Sequence, residues 1–306
     1  SGGGFDVIIG NPPYVSSSSV NYLSREMMGL KFPDIYALVL IRSLALSSKT
    51  GRCGMIVPLS LTFSSEFGLL RSKLCNSGSA WFSSYDNIPA AIFDGVSQRC
   101  TIWIGGKGNK GCCSTPMYRW RSAFRQFLVD SLAYVQFGAE TAGADGLPKL
   151  FSKESAEILK VIHGTMTKPL RHILTTGKIG NHPLGFSQAA RNFISVFKEA
   201  PPYLDASTLK TVPSSKIGYV SCDSANSSSG ALVSLAGELY FYYWLIRGDG
   251  FDVTSWIIKD YLHCLDFIPQ QEFALLAALG VLLHERRFES LVFKKNAGKY
   301  VGNFNF

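Results

Sequence analysis

Short apolar runs alternate with segments of helical spacing in the first part of the chain. Residues 7–9 are a short apolar run, the pattern of a strand buried on both faces in a parallel sheet, and residues 51–58 are predicted to form another interior strand. Segments 32–44 and 66–74 have the spacing of helices, the first apolar nearly all round and preceded by Asp34 as its expected cap. This order of strand, helix, strand and helix predicts an α/β fold with a doubly wound sheet.

Beyond residue 110 the pattern is harder to interpret. A helix is predicted at 147–163. The most apolar stretches, 231–246 and 273–283, are interrupted by a charge or too short to span a bilayer, so we expect core helices. Segments 185–193 and 221–230 are polar and rich in small residues, and both are predicted to be loops, the second one exposed.

The length and net charge of the chain indicate the number of domains and the kind of partner. The chain has 306 residues, which at roughly 150 residues per domain suggests two domains. Lysine and arginine exceed aspartate and glutamate by 30 − 22 = 8, which favours a polyanionic partner or a basic groove. The excess is spread along the chain, so no basic tail is expected.

The cysteines and histidines indicate the cellular compartment and whether a metal site is expected. The seven cysteines include no C-x-x-C pair, and an odd number fits the reduced thiols of the cytosol. The five histidines are scattered without the spacing of metal ligands. We therefore expect a cytoplasmic protein with no disulfide, no metal site and no membrane segment.

The segment Asn11-Pro12-Pro13-Tyr14 directly follows the first predicted strand. Its residues can form a turn, and they can also bind and act on a ligand. The two prolines lock φ and push their predecessors into extended conformations, so the Pro12 carbonyl and the Asn11 side-chain oxygen can converge. Two acceptors at one point suit an exocyclic amino group, and Tyr14 adds a plate on which a base can stack. The alternative is a rigid turn after a core strand.

The segment FDVIIGNPPYV resembles the catalytic motif of gamma-class N6-adenine DNA methyltransferases, which use S-adenosylmethionine. Related NPPY motifs occur in enzymes that methylate glutamine in release factors and in some RNA methyltransferases. The resemblance implies that residues 11–14 are catalytic. It also implies that Ile35 and Val39, on the following helix, line the adenine of the cofactor.

Residues 91–104 resemble the family segment in which a phenylalanine, just before a glycine turn and a strand, forms the second wall of the base pocket. By position this residue is Phe93. The alternative is a core aromatic residue at the end of a strand.

In the family, the glycine loop and the acidic residue that hold S-adenosylmethionine both precede the NPPY motif. Only a few residues precede it here, so we expect the main cofactor-binding loop to be absent from this chain and supplied by a missing N-terminal half or a partner subunit. The G-x-G-x-x-G match at 106–111 is no substitute, because small residues and a proline follow it instead of a helix. It is predicted to be a loop.

Candidate DNA contacts lie further along the chain. Residues 118–127 interleave aromatic residues with Arg119, Arg121 and Arg125, which suits phosphate contacts and base stacking. A half-buried strand with a solvated basic face explains the pattern equally and is the interpretation we favour. Residues 231–243, followed by Gly250 and the segment 266–269, resemble the closing portion of target-recognition domains in type IIG and related adenine methyltransferases.

Together these observations predict three parts: a partial methyltransferase domain (1–110), a target-recognition domain that binds double-stranded DNA (111–269) and a C-terminal helical segment (270–306). The expected fold is the C-terminal half of a doubly wound, Rossmann-like sheet followed by an α+β domain. The expected activity is methylation of a flipped adenine at N6 in a restriction-modification or phage-defence system. The alternatives are a non-catalytic DNA-binding or specificity module, or a methyltransferase that acts on protein glutamine or RNA.

Overall fold

The chain folds into two compact units, Ser1–Leu159 and Lys160–Phe306. The computed structural model describes residues 3–21, 29, 32–108, 111–138, 146–166, 168–177, 180–190, 192–214, 216–263, 265 and 268–306.

A six-stranded sheet is the centre of the first unit. Its strands are β1 (Phe5–Gly10), β2 (Ser47–Pro58), β3 (Gly78–Tyr85), β4 (Cys100–Lys107), β5 (Gly111–Tyr118) and β6 (Val135–Phe137). Within the sheet they lie in the order β1-β2-β4-β3-β5-β6. The α-helices of this unit that precede residue 150 are α1 (Ile35–Leu46), α2 (Ser60–Phe63) and α3 (Gly68–Asn76).

The α/β class is confirmed, but the sheet is mixed. β1 pairs parallel with β2, and β3 with β5, whereas β4 runs antiparallel to both β2 and β3. Adjacent parallel strands need a crossover, usually a helix, and antiparallel strands do not. Residues 86–99, which connect β3 to β4, contain no helix, so β4 reverses direction.

β1 is a strand, as expected, but it is not buried on both faces. The exposed fractions of Phe5, Val7 and Ile9 are 61%, 63% and 81%. β1 is the edge strand of the sheet, paired only with β2 among the described strands. The apolar run therefore predicted the strand correctly. Its prediction that the strand is buried on both faces is wrong for the described residues.

The predicted helices of the first unit are confirmed. α1 buries Ile35, Tyr36 and most of its other apolar residues. Asp34 occupies the N-cap position with extended backbone angles, but its side chain makes no capping hydrogen bond. Phe67, Leu70 and Leu74 are buried as predicted, with Phe67 in a short 3-10 turn that leads into α3.

The sheet continues beyond residue 110, where the sequence suggested a domain boundary, because β5 and β6 both belong to it. The glycine run 106–111 ends β4 and leads into β5; residues 109 and 110 lie outside the described part of the chain. A strand rather than a helix follows, as expected for a loop and not a dinucleotide fingerprint. The strand favoured for 118–127 is wrong: β5 ends at Tyr118, and Ser122–Phe127 is a 3-10 helix.

The helix predicted at 147–163 is present but starts later, as α4 (Lys153–Thr165), and the boundary between the units falls within it. The other helices of the second unit are α5 (Ala225–Ala236), α6 (Glu238–Arg247), α7 (Ser255–Asp260) and α8 (Gln270–Glu285). Its strands are β7 (Lys168–Pro169), β8 (Leu174–Thr176), β9 (His182–Ser187), β10 (Val196–Phe197), β11 (Tyr203–Asp205), β12 (Ile217–Cys222), β13 (Leu262–His263), β14 (Leu291–Asn296) and β15 (Lys299–Phe304). They form sheets ordered β10-β9-β12-β8 and β11-β15-β14, with β7 and β13 as a separate pair.

Of the two polar loops predicted in the second unit, 185–193 is partly right and 221–230 is largely wrong. Residues 185–187 belong to β9, where Phe186 is buried, and the described residues of 188–193 lie in no helix or strand; residue 191 lies outside the described part of the chain. Residues 225–230 begin α5, and Ser224 caps this helix by accepting a hydrogen bond from the Ser227 amide. Small polar residues bury here because the helix packs closely on α8, which polarity alone does not reveal.

The apolar stretch 231–246 forms two helices with buried faces, α5 and α6, separated at Gly237. The stretch 273–283 forms α8, but only Ala277 and Gly280 are buried there, so the expectation of a core helix is wrong for α8. The segment 270–306 is not wholly helical either, because β14 and β15 form a hairpin after α8. No helix among the described residues is long and apolar enough to cross a membrane.

Candidate active site

The segment Asn11-Pro12-Pro13-Tyr14 leaves the sheet at the carboxyl end of β1. Gly10, the last residue of β1, pairs with Met55 in the parallel strand β2. The carboxyl ends of neighbouring parallel strands in α/β folds form the crevice where ligands commonly bind. The motif therefore lies at the edge of the sheet that suits a site.

Burial differs along the motif. Pro12 is buried, whereas Asn11 and Pro13 are exposed. The Asn11 side chain makes no hydrogen bond within the described part of the chain, so its amide is accessible to a ligand. The buried proline anchors the turn and the asparagine is presented outward.

Tyr14 is half-buried and its hydroxyl is fixed. The hydroxyl donates to the Ile56 carbonyl of β2 at 3.0 Å. Burial, followed by the nearby Cys100 thiol, raises the pKa of Tyr14 well above its usual value. Burial also raises the pKa of Cys100 to about 11, so both groups are neutral at physiological pH. The Tyr14 ring is thus a neutral aromatic surface held by its distal end.

The start of α1 is tied to the segment that follows Tyr14. The Ile35 amide donates to the Val15 carbonyl at 3.0 Å, and the Ser17 amide donates to the Pro33 carbonyl at 2.7 Å. Ile35 is almost fully buried, whereas Val39, one turn later, is half-buried. Of the two residues expected to line a cofactor, Val39 has the more accessible surface.

Phe93 lies in the loop 86–99, which connects β3 to β4 at the same edge of the sheet. β3 runs in the same direction as β2, because each is antiparallel to β4. The loop therefore begins at the edge where β1 and β2 end, and its last residue is bonded to the end of β2 through the Leu59 amide and Arg99 carbonyl, 2.9 Å apart. Phe93 is half-exposed, which argues against a core aromatic residue.

The base of this loop is closed by a buried carboxylate. Asp86, only 1% exposed, accepts from Arg99 Nε at 3.0 Å and from Arg119 Nε at 2.7 Å. Asn87 Nδ2 donates to Ser97 Oγ at 3.1 Å across the loop. The two ends of the loop are thereby held together.

The tip of the loop is held by Arg125. Its guanidinium donates to the Ala91 carbonyl at 3.0 Å, to the Ile92 carbonyl and to Asp94 Oδ1 at 2.6 Å. These three acceptors flank Phe93 on both sides. Arg125 thus fixes the backbone that presents Phe93.

The three arginines expected to contact DNA have different surroundings in the structure. Arg119 and Arg125 bond to residues of the loop 86–99, and Arg121 is exposed to solvent. Sequence reasoning missed Asp86 and Arg99, although an acidic residue directly after a buried strand and an arginine directly before the next were visible signals. The ion pair between Asp86 and Arg99 could not be predicted, because the sequence of the loop between them has no recognisable pattern.

No cluster of potential metal ligands occurs among the described residues.

Comparison with known proteins identifies a related family for the first part of the chain. Residues 1–79 match the family model described as Eco57I restriction-modification methylase. No curated protein sequence gives a significant match.

Several solved structures align with the chain. The Type IIL restriction-modification enzyme MmeI, solved in complex with DNA, aligns with a TM-score of 0.50 and 11% identity, covering 95% of this chain and 50% of that chain. The type IIG restriction endonuclease BpuSI gives a TM-score of 0.33 and 11% identity, covering 91% and 49%. The M protein of the Type I restriction enzyme EcoKI gives 0.31 and 15% identity, covering 40% and 28%. The chain spans half or less of each of these proteins, and it resembles restriction-modification methyltransferases.

Proposed function

We propose that this chain is part of a DNA methyltransferase that transfers a methyl group to adenine N6 in a restriction-modification system. The observation that supports it most is the position of residues 11–14, at the carboxyl edge of a parallel strand pair, with Asn11 exposed and the Tyr14 hydroxyl fixed. The family match over residues 1–79 includes this motif.

Asn11 and Pro12 activate the amino group of the base. The lone pair of adenine N6 is delocalised into the ring and is a poor nucleophile. Hydrogen bonds from N6 to Asn11 Oδ1 and to the Pro12 carbonyl draw the nitrogen toward tetrahedral geometry, which localises the lone pair. The same oxygens stabilise positive charge as it develops on nitrogen.

Tyr14 and Phe93 hold the base. The amino group of a paired adenine is inside the duplex, so the base must first be extruded, at a cost of a few kcal/mol. Stacking on an aromatic ring contributes roughly 1–3 kcal/mol per base, which offsets part of this cost. The fixed hydroxyl of Tyr14 and the Arg125 contacts beside Phe93 hold these two rings in place before the base arrives.

The described residues provide only part of a site for S-adenosylmethionine, which supplies the methyl group in this family. Val39 offers an apolar contact, but Ile35 is almost wholly enclosed in the core. Phe5–Gly10, directly before Asn11, form β1, whose exposed apolar side chains and outer edge are suited to receive another strand. We infer that polypeptide outside these 306 residues, in the same chain or a partner subunit, pairs with β1 and completes the cofactor site.

Substitution of Asn11 tests the proposed function. In the enzyme completed by its remaining polypeptide, Asn11→Ala is expected to lower methyl transfer to duplex DNA by at least about 100-fold, as for loss of a charge-stabilising group. Binding of the duplex is expected to change little, because Asn11 contacts only the extruded base.

A radiolabelled methyl donor measures transfer, and Asn76→Ala, at the end of α3, is the matched amide control. Transfer by Asn11→Ala at the parent rate would refute the proposed function. Labelling of protein or RNA instead of DNA would refute the assignment of DNA as the substrate.

A further inference from the structure

A cavity of about 510 Å³ opens in the second unit, and none of its lining residues belongs to the candidate active site. This volume is within the usual range for ligand sites, about 300–1,000 Å³. Ser187, Ser195 and Asn303 are lining residues that bond to one another or to the backbone: Ser187 Oγ lies 3.3 Å from Asn303 Oδ1, and Ser195 Oγ accepts from the Phe304 amide at 3.1 Å. The cavity wall is therefore ordered and partly polar.

The hairpin of β14 and β15 forms one side of this cavity. Ala297 and Gly298, both with positive φ, make the tight turn between the two strands. Side chains alternate along a strand, so Lys299, Val301 and Asn303 share one face of β15, and all three line the cavity. β15 also pairs with β11, which brings Tyr203 into the same wall.

The cavity is positively charged. Lys216, Lys294, Lys295 and Lys299 line it and are exposed, and none of the lining residues that the structure describes is acidic. Asp205 pairs with Lys299 across the strands, but its Oδ1 accepts hydrogen bonds from Ser207 and Thr208. The lysines are thus grouped without a neutralising carboxylate in the described part of the wall.

Aromatic surface accompanies the charge. The Lys294 ammonium lies 5.9 Å from the centre of the Phe193 ring, and Phe251 lines the cavity as well. Lysines bind phosphate as point charges, and aromatic rings offer surface to sugars and bases. Lysines beside exposed ring surface therefore suit the phosphates and sugars of a nucleic-acid backbone.

We propose that this cavity binds the sugar-phosphate backbone of duplex DNA and is a DNA contact of the second unit. The inference rests on the proposed function, because it takes DNA as the substrate. It places backbone contacts on Lys294, Lys299 and Lys216, because Lys295 pairs with Tyr300 and so lies on the opposite face of the hairpin. Arg119 and Arg125, by contrast, are engaged with the loop that carries Phe93.

The test compares two double variants of the full chain with equal loss of charge. Lys294→Gln with Lys299→Gln removes two cavity lysines, and Lys73→Gln with Lys153→Gln removes two exposed lysines from helices of the other unit. Binding of a fluorescein-labelled duplex of about 25 base pairs is measured by anisotropy over a range of salt concentrations. Thermal unfolding checks that the parent and both variants fold alike.

The cavity variant is expected to bind about tenfold more weakly. Its slope of log affinity against log salt should be shallower by about 2, one for each phosphate that the protein no longer neutralises. The control variant should stay within about threefold of the parent.

Equal reductions in affinity for both variants would overturn the cavity assignment and leave the proposed function standing. Displacement of the duplex by micromolar dAMP would also overturn it, because the cavity would then be a site for a free nucleotide. Failure of the parent chain to bind duplex at low salt would overturn the proposed function together with this inference.

Discussion

Three arginines that look alike in the sequence have different surroundings in the fold. Arg119 pairs with the buried Asp86, Arg125 holds the backbone beside Phe93, and Arg121 is exposed. The partners of Arg119 and Arg125 lie 33 and 34 residues earlier in the chain, on a loop whose conformation no local pattern indicates. Arg125 is therefore a positioning residue for Phe93 and not, from its contacts, a free cation for phosphate.

Replacing Arg125 tests this positioning role. Arg125→Ala removes the donor to the Ala91 and Ile92 carbonyls and to Asp94, so the tip of the loop should open more often. Hydrogen exchange measured by mass spectrometry should become faster for amides of residues 91–98 and stay unchanged in β3.

Arg121→Ala is the matched control, since it removes the same charge from the same region without touching this loop. Equal exchange of the loop in parent and Arg125→Ala would show that Arg125 does not hold it.

At the scale of elements, the packing of α5 on α8 explains why polar and small residues are buried. A Cβ on Gly280 would lie 2.2 Å from the Ser229 carbonyl oxygen, and a Cβ on Gly230 would lie 3.1 Å from the Phe273 ring. Only glycine lets the two helix backbones approach so closely. The serine-rich segment that looked like a surface loop is thus the contact face of a helix.

Gly280→Ala should destabilise the protein although alanine is the better helix former. The helix propensity gain is about 1 kcal/mol, whereas forcing a methyl group against a backbone carbonyl in a packed contact costs about 1–3 kcal/mol. Urea unfolding followed by circular dichroism should show a lower midpoint.

Gly164→Ala is the paired control, because Gly164 lies in α4 and, apart from its chain neighbours and the nearby backbone of α4 itself, no described atom comes within 4 Å of the position that its new methyl group would take. It should leave stability unchanged or raise it by up to about 1 kcal/mol. A midpoint for Gly280→Ala at or above that of Gly164→Ala would disprove close packing of α5 on α8.

At the scale of the whole molecule, the first unit carries the candidate active site and the second carries the basic cavity. The exposed apolar edge of β1 is the feature most at odds with an independent catalytic unit. The chain also covers only half of MmeI, to which it aligns over nearly its full length. The proposed completion of the cofactor site by further polypeptide depends on the first of these observations, the exposed edge of β1.

The 306-residue chain alone is therefore expected to bind S-adenosylmethionine negligibly. Titration calorimetry should detect no one-site binding in the micromolar range, because, of the two residues proposed to line the cofactor, Ile35 is buried and Val39 alone is accessible. Adding the polypeptide that pairs with β1 should produce binding. Micromolar binding by this chain alone would contradict the inferred division of the site.

Local patterns in the sequence indicated four elements of the first unit but not the strands β3, β5 and β6. Apolar runs indicated β1 and β2, helical spacing indicated α1 and α3, and the prolines after Asn11 indicated a rigid turn at a strand end. These features depend on residues close in sequence, so their physics is visible without a fold. The chemistry of residues 11–14 was a hypothesis on the same basis, and it stays a prediction.

Only the tertiary structure decided which surfaces are covered and which charges are free. Burial of β1 depends on a neighbouring strand, and the role of Arg125 depends on a distant loop. The packing of α5 on α8 depends on Gly280, which lies some 50 residues after its contact Ser229. The lysines around Lys294 and Lys299 were visible in sequence, but a hairpin turn and the pairing of β15 with β11 bring them to a common cavity with Lys216. Contacts between residues far apart in the chain leave no periodic signal, which is why the sequence alone did not reveal them.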